Sequence, residues 1–294
     1  MVGTAVARTL LLISVGVAGC NPPAGATIPV PVRDLSLARD PINAVHIPSL
    51  RTNAERVLRE LVAALPADQR ARVASIALVS DNGLGDVNAY ATCDTGGPFI
   101  AISDGMLMVA AHLANTTATD EFFGTELDVR YLDWLENHSI APPPPAFYAT
   151  DYQTDRRKVL RQHELFDEEI AFVLAHELAH HYLGHLACNS DGGVVEEVGQ
   201  IASDSVPLFN QTTEVAADVA GVKNVLAAGV ARTGYTWTED GALLVIAAFN
   251  RRHPLTAEDV LFGFERSHPI PHVRVPIITS TAELWHNSGG HLPL

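Results

Sequence analysis

The sequence predicts an α+β domain in which a small mixed sheet with an exposed edge strand packs against helices. Apolar residues recur at helical spacing over residues 50–65. Three short β-like stretches follow between residues 74 and 103, separated by turns that contain glycine. The second half of the chain then carries long apolar helix candidates. Together these signals predict one domain over residues 49–294.

Local signals give the elements in chain order. The first helix ends at Pro66, because a helix interior does not accommodate proline. The β-like stretches are residues 74–79, 86–92 and 98–103, and later helices are expected over residues 104–114, 168–187, 211–228 and 241–249. Residues 115–155 are irregular and acidic, and they include the tetraproline 142–145. We interpret residues 115–155 as an insertion or a lid.

The charge balance excludes one class of partner. The chain has 19 basic and 34 acidic residues, which gives a formal net charge of −15. Such a charge repels phosphate backbones, so nucleic acid is not expected as a partner. Any membrane tie must be apolar or covalent, because no block of Lys and Arg is present to bind anionic lipid.

The N-terminus has the layout of a bacterial lipoprotein signal peptide over residues 1–20. A positive charge and an apolar run too short to span a bilayer precede Val17–Cys20, which resembles a lipobox, where the cysteine becomes diacylated. The alternative is a plain signal peptide with an accidental cysteine. Residues 21–48 are rich in proline and aperiodic, which indicates an extended tether. Lipidated Cys20 would anchor the domain to a membrane, and Asn21 favours the periplasmic face of the outer membrane.

The two other cysteines, Cys93 and Cys188, form a pair in the oxidising compartment to which such a leader directs a protein. We predict a disulfide between them, which would close a loop of 188 − 93 = 95 residues. Two buried free thiols are the alternative.

The most informative segment contains the motif His-Glu-x-x-His at His176, Glu177 and His180. Residues four apart share one face of a helix, so both imidazoles can face one metal ion. Glu177 is then placed to take a proton from water. The flanking residues are apolar, as expected for a helix buried behind an active site.

A third ligand decides the class of site. The positions where metzincins have Gly and His both hold leucine here, which excludes that class. His185 would lie about 180° from His176 on a continuous helix, which excludes it from the same site. Glu214 and Asp218 lie four residues apart on a later helix candidate. In this arrangement Glu214 ligates the metal and Asp218 orients a ligating histidine.

In this combination the chain resembles the HtpX-like and CAAX-prenyl-protease-1-like zinc metallopeptidases of the gluzincin group, over residues 50–283. The segments that carry the resemblance are Asn88–Ala91, Phe99–Leu107, Val173–His185, Glu214–Asp218, and Ser267–Pro269 followed by Arg274. His253 also precedes a proline, but Asp259 rather than arginine lies six residues after it, so His268 is preferred. Unlike integral-membrane members of the family, this chain has no apolar stretch beyond the leader that could span a bilayer.

The resemblance implies the roles of the site residues. One Zn²⁺ per chain would be bound by His176, His180 and Glu214. Glu177 would act as general base. His268 would stabilise the oxyanion, and Arg274 would brace the site through a carboxylate.

An extended peptide would pair with the predicted edge strand at Asn88, Ala89, Tyr90 and Ala91, through backbone hydrogen bonds with little sequence preference. The sequence therefore predicts a lipid-anchored periplasmic zinc metalloendopeptidase that hydrolyses unfolded or misassembled envelope proteins. The main alternative is a latent enzyme or a non-hydrolytic, zinc-containing chaperone or assembly factor, whose cleft residues 115–155 would cover. A purely structural zinc site is disfavoured by Glu177 and by the lack of a fourth protein ligand.

Overall fold

The computed structural model describes residues 33–82, 87–138, 142–186, 188, 207–252 and 271–292. These residues combine a three-stranded sheet with long helices, so the predicted α+β class is confirmed. They belong to one unit, Val32–Leu294. No helix in the described part of the chain is both long and apolar enough to cross a membrane. The predicted leader with Cys20 lies outside the described residues.

The sheet consists of β1 (Ala77–Asp81), β2 (Ala89–Asp94) and β3 (Gly97–Ser103). β3 is central, and it runs parallel to β1 and antiparallel to β2. A two-residue turn connects β2 to β3, and Gly97 after it has a φ of 118°, which other residues rarely adopt. Within the described residues β2 therefore forms one edge of the sheet.

Helices precede and follow the sheet. Before it lie α1 (Ile47–Ala64) and α2 (Ala67–Val73), and after it lie α3 (Asp104–Phe123), α4 (Leu127–Asn137) and α5 (Thr150–Gln153). The second half of the chain contains α6 (Arg156–Tyr182), α7 (Pro207–Ala231), α8 (Asp240–Arg252) and α9 (Pro271–Asn287). Short 3-10 helices cover Leu35–Arg39 and Pro145–Phe147.

The helix α6 is central to the packing, and it contacts α1, α3, α7 and α8. Asp155 caps its N-terminus, because the carboxylate accepts hydrogen bonds from the backbone N–H groups of Arg157 and Lys158. Every side chain from Leu165 to His180 is buried. The sequence predicts a later start, near residue 168, because the buried face of the first turns carries the polar residues Lys158 and Gln162, which conceal the amphipathic pattern.

Residues 115–155 are mostly helical, and the expectation of an irregular segment is wrong. The helix α3 continues to Phe123 and ends at Gly124, whose φ of 62° suits a helix C-terminus. Tyr131 and Leu135 of α4 belong to a second apolar cluster that also includes residues of α3 and α8. The sequence pattern missed the second half of α3 because this helix is buried on nearly all sides.

Residues before 49 already pack against the domain, although their proline content predicts a tether that extends to residue 48. Ile42 is buried in the main core. Asn43 is also buried, and its Nδ2 donates hydrogen bonds to the carbonyl oxygens of Leu37 and Gln153. Proline fixes backbone angles but does not prevent the residues between prolines from packing. Part of the predicted tether is therefore packed structure.

Candidate metal centre

The helices α6 and α7 approach closely where the metal motif lies. A Cβ atom added at Gly221 of α7 would lie 3.1 Å from the backbone nitrogen of His176 and 3.3 Å from its Cα atom. Glycine allows this approach because it has no Cβ atom. Glu214 and Asp218 precede Gly221 by seven and three residues, so all three lie on the face of α7 that meets α6.

Three buried side chains converge between these two helices. Nε2 of His176 lies 3.2 Å from Oε2 of Glu214, and Nε2 of His180 lies 3.2 Å from Oε1 of the same carboxylate. The two Nε2 atoms lie 3.3 Å apart. The exposed fractions are 2% for His176, 8% for His180 and 5% for Glu214. Within the part of the chain that the structure describes, these three residues form the group that could hold a metal ion.

The separations fit a tetrahedral zinc ion. Zn²⁺ binds histidine nitrogen and carboxylate oxygen at about 2.0–2.1 Å, so two ligands of a tetrahedron lie about 3.3 Å apart. The two Nε2 atoms are 3.3 Å apart, each lies 3.2 Å from one of the two oxygens of the Glu214 carboxylate, and one ligand atom from each residue lies within 4.8 Å of the others. Among the described residues three ligands face the site, which leaves a fourth position for water, the pattern of catalytic rather than structural zinc sites. The donor set therefore fits the metal that the sequence predicts.

An ion pair holds His176 at its other ring nitrogen. Nδ1 of His176 lies 2.9 Å from Oδ1 of Asp218. Arg274 donates to both oxygens of that carboxylate, from Nε at 2.9 Å and from Nη2 at 2.6 Å. Burial raises the pKa of Asp218, but Arg274 and His176 outweigh burial and lower the pKa to about 2. Asp218 is therefore ionised and can fix the orientation of the His176 ring.

A carboxylate lies against each nitrogen of the His176 ring. Burial alone would lower the pKa of His176, yet its hydrogen bonds to Asp218 and Glu214 raise the pKa to about 9 in the metal-free protein. The charge of Glu177, which is 4% exposed, raises the same pKa. The site therefore favours positive charge, which a bound metal ion supplies in place of a proton.

The helix α6 ends in a Schellman motif just after the second histidine ligand. Gly184 has a φ of 76°, and its N–H donates to the carbonyl oxygen of His181. The N–H of His185 donates to the carbonyl oxygen of His180. This reversal brings Nδ1 of His185 to 3.1 Å from Nδ1 of His180. The expectation that His185 stands on the far side of a continuous helix is wrong, because the helix ends at Tyr182.

Two links connect the end of α6 to the sheet. Nε2 of His181 lies 3.1 Å from the carbonyl oxygen of Phe99 on β3. Cys188, shortly after the helix, forms a disulfide with Cys93 on β2 over a Cα–Cα distance of 5.8 Å. These links hold both β2 and β3 beside the metal-binding helix.

The open edge of β2 directs backbone groups outward. Asn88 lies opposite Ser103, whose N–H donates to the Asn88 carbonyl oxygen. Hydrogen-bonded and non-hydrogen-bonded pairs alternate along an antiparallel ladder, so Tyr90 pairs with β3. The N–H and C=O groups of Ala89 and Ala91 then point away from β3. Ala89 is only 5% exposed, so the groups of the partly exposed Ala91 are the ones that an added strand would reach first.

The structure thus brings together the residues that three separate segments contribute, namely His176, Glu177, His180, Glu214, Asp218 and Arg274. His268 lies outside the described residues, so its role at an oxyanion stays a prediction. Sequence reasoning did not predict the close helix approach at Gly221 or the contact of His185 with His180. Gly184, four residues after His180, signals a helix C-terminus and could have revealed the position of His185.

A comparison with family models matches the chain to peptidase family M48 over residues 48–282, well over half of its length. The matched range contains every residue of the metal centre. Comparisons with curated proteins and with solved structures gave no match.

Proposed function

The chain belongs to peptidase family M48 and is a metallopeptidase, and we propose that it is a zinc-dependent endopeptidase acting on unfolded or misassembled envelope proteins. The family match confirms the predicted resemblance to zinc metallopeptidases. The observation that carries the proposal is the convergence of three buried side chains, His176 and His180 on the helix that also carries the buried Glu177, and Glu214 on the helix that faces it. The substrate class and the cellular location belong to the proposal.

The buried residues divide the chemistry among them. A zinc ion held by His176, His180 and Glu214 would polarise the scissile carbonyl and lower the pKa of water toward 7. Asp218 keeps the His176 proton on Nδ1, which leaves Nε2 free to ligate. The carboxylate of Glu177 accepts a proton from the attacking water and returns it to the leaving nitrogen. Burial of these groups strengthens their charge interactions.

The edge of β2 supports an extended peptide as substrate. The outward backbone groups of the partly exposed Ala91 can hydrogen-bond to any peptide backbone, whatever its side chains. A strand inside a folded protein has its own backbone groups already paired, so it cannot add to β2. Unfolded or exposed segments satisfy this requirement.

We propose that the enzyme is anchored in the periplasm through acylated Cys20. The lipobox-like Val17–Cys20 supports the anchor, since two acyl chains on one cysteine hold a protein stably at a membrane. The disulfide Cys93–Cys188 supports an oxidising compartment. Asn21, the residue after the cysteine, supports the outer rather than the inner membrane.

The proposal is tested by measuring zinc content and casein hydrolysis of the purified chain beside Glu177→Gln. We expect one zinc ion per chain in both proteins. Hydrolysis should fall about 10²- to 10⁴-fold in the variant, because the general base is lost. Glu164→Gln is the matched control, since Glu164 lies on the same helix but is partly exposed and distant in sequence from the motif.

Each contradicting result would overturn a different part of the proposed function. Full hydrolysis by Glu177→Gln with zinc bound would remove Glu177 from its role. Zinc without hydrolysis in the unaltered chain would favour a non-hydrolytic chaperone or assembly factor. A chain that binds no zinc would overturn the metal centre itself.

A further inference from the structure

The Schellman motif at the end of α6 places two histidine rings against each other. Such a motif brings the third residue after the helix, here His185, beside a residue of its last turn, here His180. The ring centroids lie 5.0 Å apart with an interplanar angle of 73°, and the two Nδ1 atoms are 3.1 Å apart. In most Schellman motifs this contact is apolar. Here it is a hydrogen bond between two imidazoles.

We propose that His185 is a positioning residue that holds the His180 ring in the orientation and tautomer required for metal binding. The inference rests on the proposed function, because it takes His180 as a metal ligand. The Nδ1 of a ligating histidine usually donates to a fixed acceptor, which sets the ring plane and keeps Nε2 unprotonated. Nδ1 of His185 lies where this acceptor is required.

The proton positions follow from the geometry. For Nε2 of His180 to offer its lone pair to a metal, the ring proton must be on Nδ1. Nδ1 of His185 then accepts this proton in a hydrogen bond, and His185 carries its own proton on Nε2. The two histidine ligands are therefore held by different groups, because His176 donates to the carboxylate of Asp218.

Two features keep His185 in place. Gly184 adopts the left-handed conformation that turns the chain back after the helix, with a φ of 76°. Three residues beyond His185, Cys188 is bonded to Cys93 of β2. The segment that carries His185 is thus fixed at one end by the helix and at the other by the sheet.

Two variants separate positioning from capping. His185→Leu retains an apolar contact of the kind that Schellman motifs normally have, but it removes the acceptor. His185→Asn restores an acceptor, because Oδ1 of asparagine occupies the same place along the side chain as Nδ1 of histidine. A residue that only ends the helix would make the leucine variant bind zinc as well as the unaltered protein.

The test is the zinc dissociation constant of the full chain, measured by competition with a chelator. We expect His185→Leu to raise the constant about 10- to 100-fold and His185→Asn to restore most of the affinity. His181→Leu is the matched control, because His181 lies one residue from His180 and bonds to the Phe99 carbonyl oxygen instead. An unchanged constant in folded His185→Leu would overturn the proposal, and so would an equal loss in His181→Leu.

A measurement on the unaltered protein covers the case in which His185→Leu does not fold. With zinc bound and histidines labelled with ¹⁵N, a scalar coupling across the hydrogen bond should join Nδ1 of His180 to Nδ1 of His185. A His180 Nδ1 proton that exchanges rapidly with water and shows no such coupling would overturn the proposal. If the unaltered protein binds zinc but shows no coupling, the positioning role of His185 fails while the metal centre stands. If it binds no zinc, the metal centre itself fails.

Discussion

Oδ1 of Asp218 lies 2.9 Å from Nδ1 of His176, while Nε2 of the same ring lies 3.2 Å from Glu214. Asp218 is fully buried, and Arg274, which donates to both of its oxygens, is 6% exposed. A buried carboxylate is tolerated here because it is paired and fully hydrogen-bonded. Orientation of the metal ligand and burial of an ion pair are therefore linked, and one substitution should affect both.

Asp218→Asn removes the charge that fixes His176. We expect the zinc dissociation constant to rise about 10- to 100-fold, because the ring loses its ionised acceptor. The free energy of unfolding of the metal-free protein should fall by roughly 3–5 kcal/mol, because Arg274 remains buried without its counter-ion. Chelator competition and urea denaturation measure the two effects.

A double variant, Asp218→Leu with Arg274→Met, serves as the control. Replacing a buried ion pair with apolar residues of similar volume is often neutral for stability, so most of the lost stability should return. Zinc affinity should stay low, because His176 still has no acceptor. Wild-type zinc affinity in Asp218→Asn would contradict the orienting role of Asp218.

Gly221→Ala tests the close approach of α7 to α6. The new Cβ atom would lie 3.1 Å from the backbone nitrogen of His176, so the backbone of α6 must shift by a few tenths of an ångström. We expect a loss of about 1–3 kcal/mol in the free energy of unfolding and weaker zinc binding. In an unconstrained helix interior the same change stabilises by about 1 kcal/mol, so a gain in stability would contradict the close approach.

Proline substitutions on β2 test the substrate edge. Ala91→Pro removes an N–H that points away from β3, so the sheet should keep its hydrogen bonds while the Michaelis constant for a peptide substrate rises. Tyr90→Pro is the control, because it removes an N–H that pairs with β3 and should lower stability instead. Steady-state kinetics and thermal denaturation of both variants measure the effects. An unchanged Michaelis constant in Ala91→Pro would exclude strand addition at this edge.

Lys158 gives the protein a pH-dependent stability. Its side chain is fully buried, and Nζ lies 2.9 Å from Oδ1 of Asn43 and 2.8 Å from Oε1 of Gln162. Burial lowers the pKa of Lys158 from 10.5 to about 7. Between these values the unfolded chain binds the proton and the folded chain does not, so the free energy of unfolding should increase with pH.

Comparison with Lys158→Met isolates this contribution. From pH 7 to 10 the wild-type free energy of unfolding should rise relative to the variant by at most about 1.4 kcal/mol per pH unit. Urea titrations at several pH values measure the difference. If the free energies of unfolding of the wild type and of Lys158→Met change with pH in parallel, the amide oxygens around Nζ keep the ammonium group of Lys158 charged, and the prediction is wrong.

The sequence was most informative where function imposes a spacing. The motif residues His176 and His180 had to share a helix face, and so did Glu214 and Asp218, whichever helices they occupied. The strands were visible because turns that contain glycine separate them. Helix boundaries were harder. The helix α3 is buried on nearly all sides and lacks an amphipathic period, and the first turns of α6 carry the polar residues Lys158 and Gln162 on their buried face.

What the sequence did not reveal depends on packing between distant segments. The need for glycine at residue 221 arises only when α7 meets α6. His185 was excluded on the assumption of a continuous helix, and the end of α6 at Tyr182 removed that assumption. The resemblance implied that Arg274 braces the site through a carboxylate, but not which one; Asp218 lies 56 positions away, and no local period joins the two residues.

The disulfide Cys93–Cys188 closes a ring of chain that contains His176, Glu177 and His180, whereas Glu214 lies beyond it. A peptidase is exposed to cleavage by other copies of itself. If the backbone is cut once inside this ring, the two fragments remain covalently joined, and the edge strand stays attached to the segment that follows α6. A nicked molecule can therefore keep its metal ligands together, and it would separate into two pieces only after reduction.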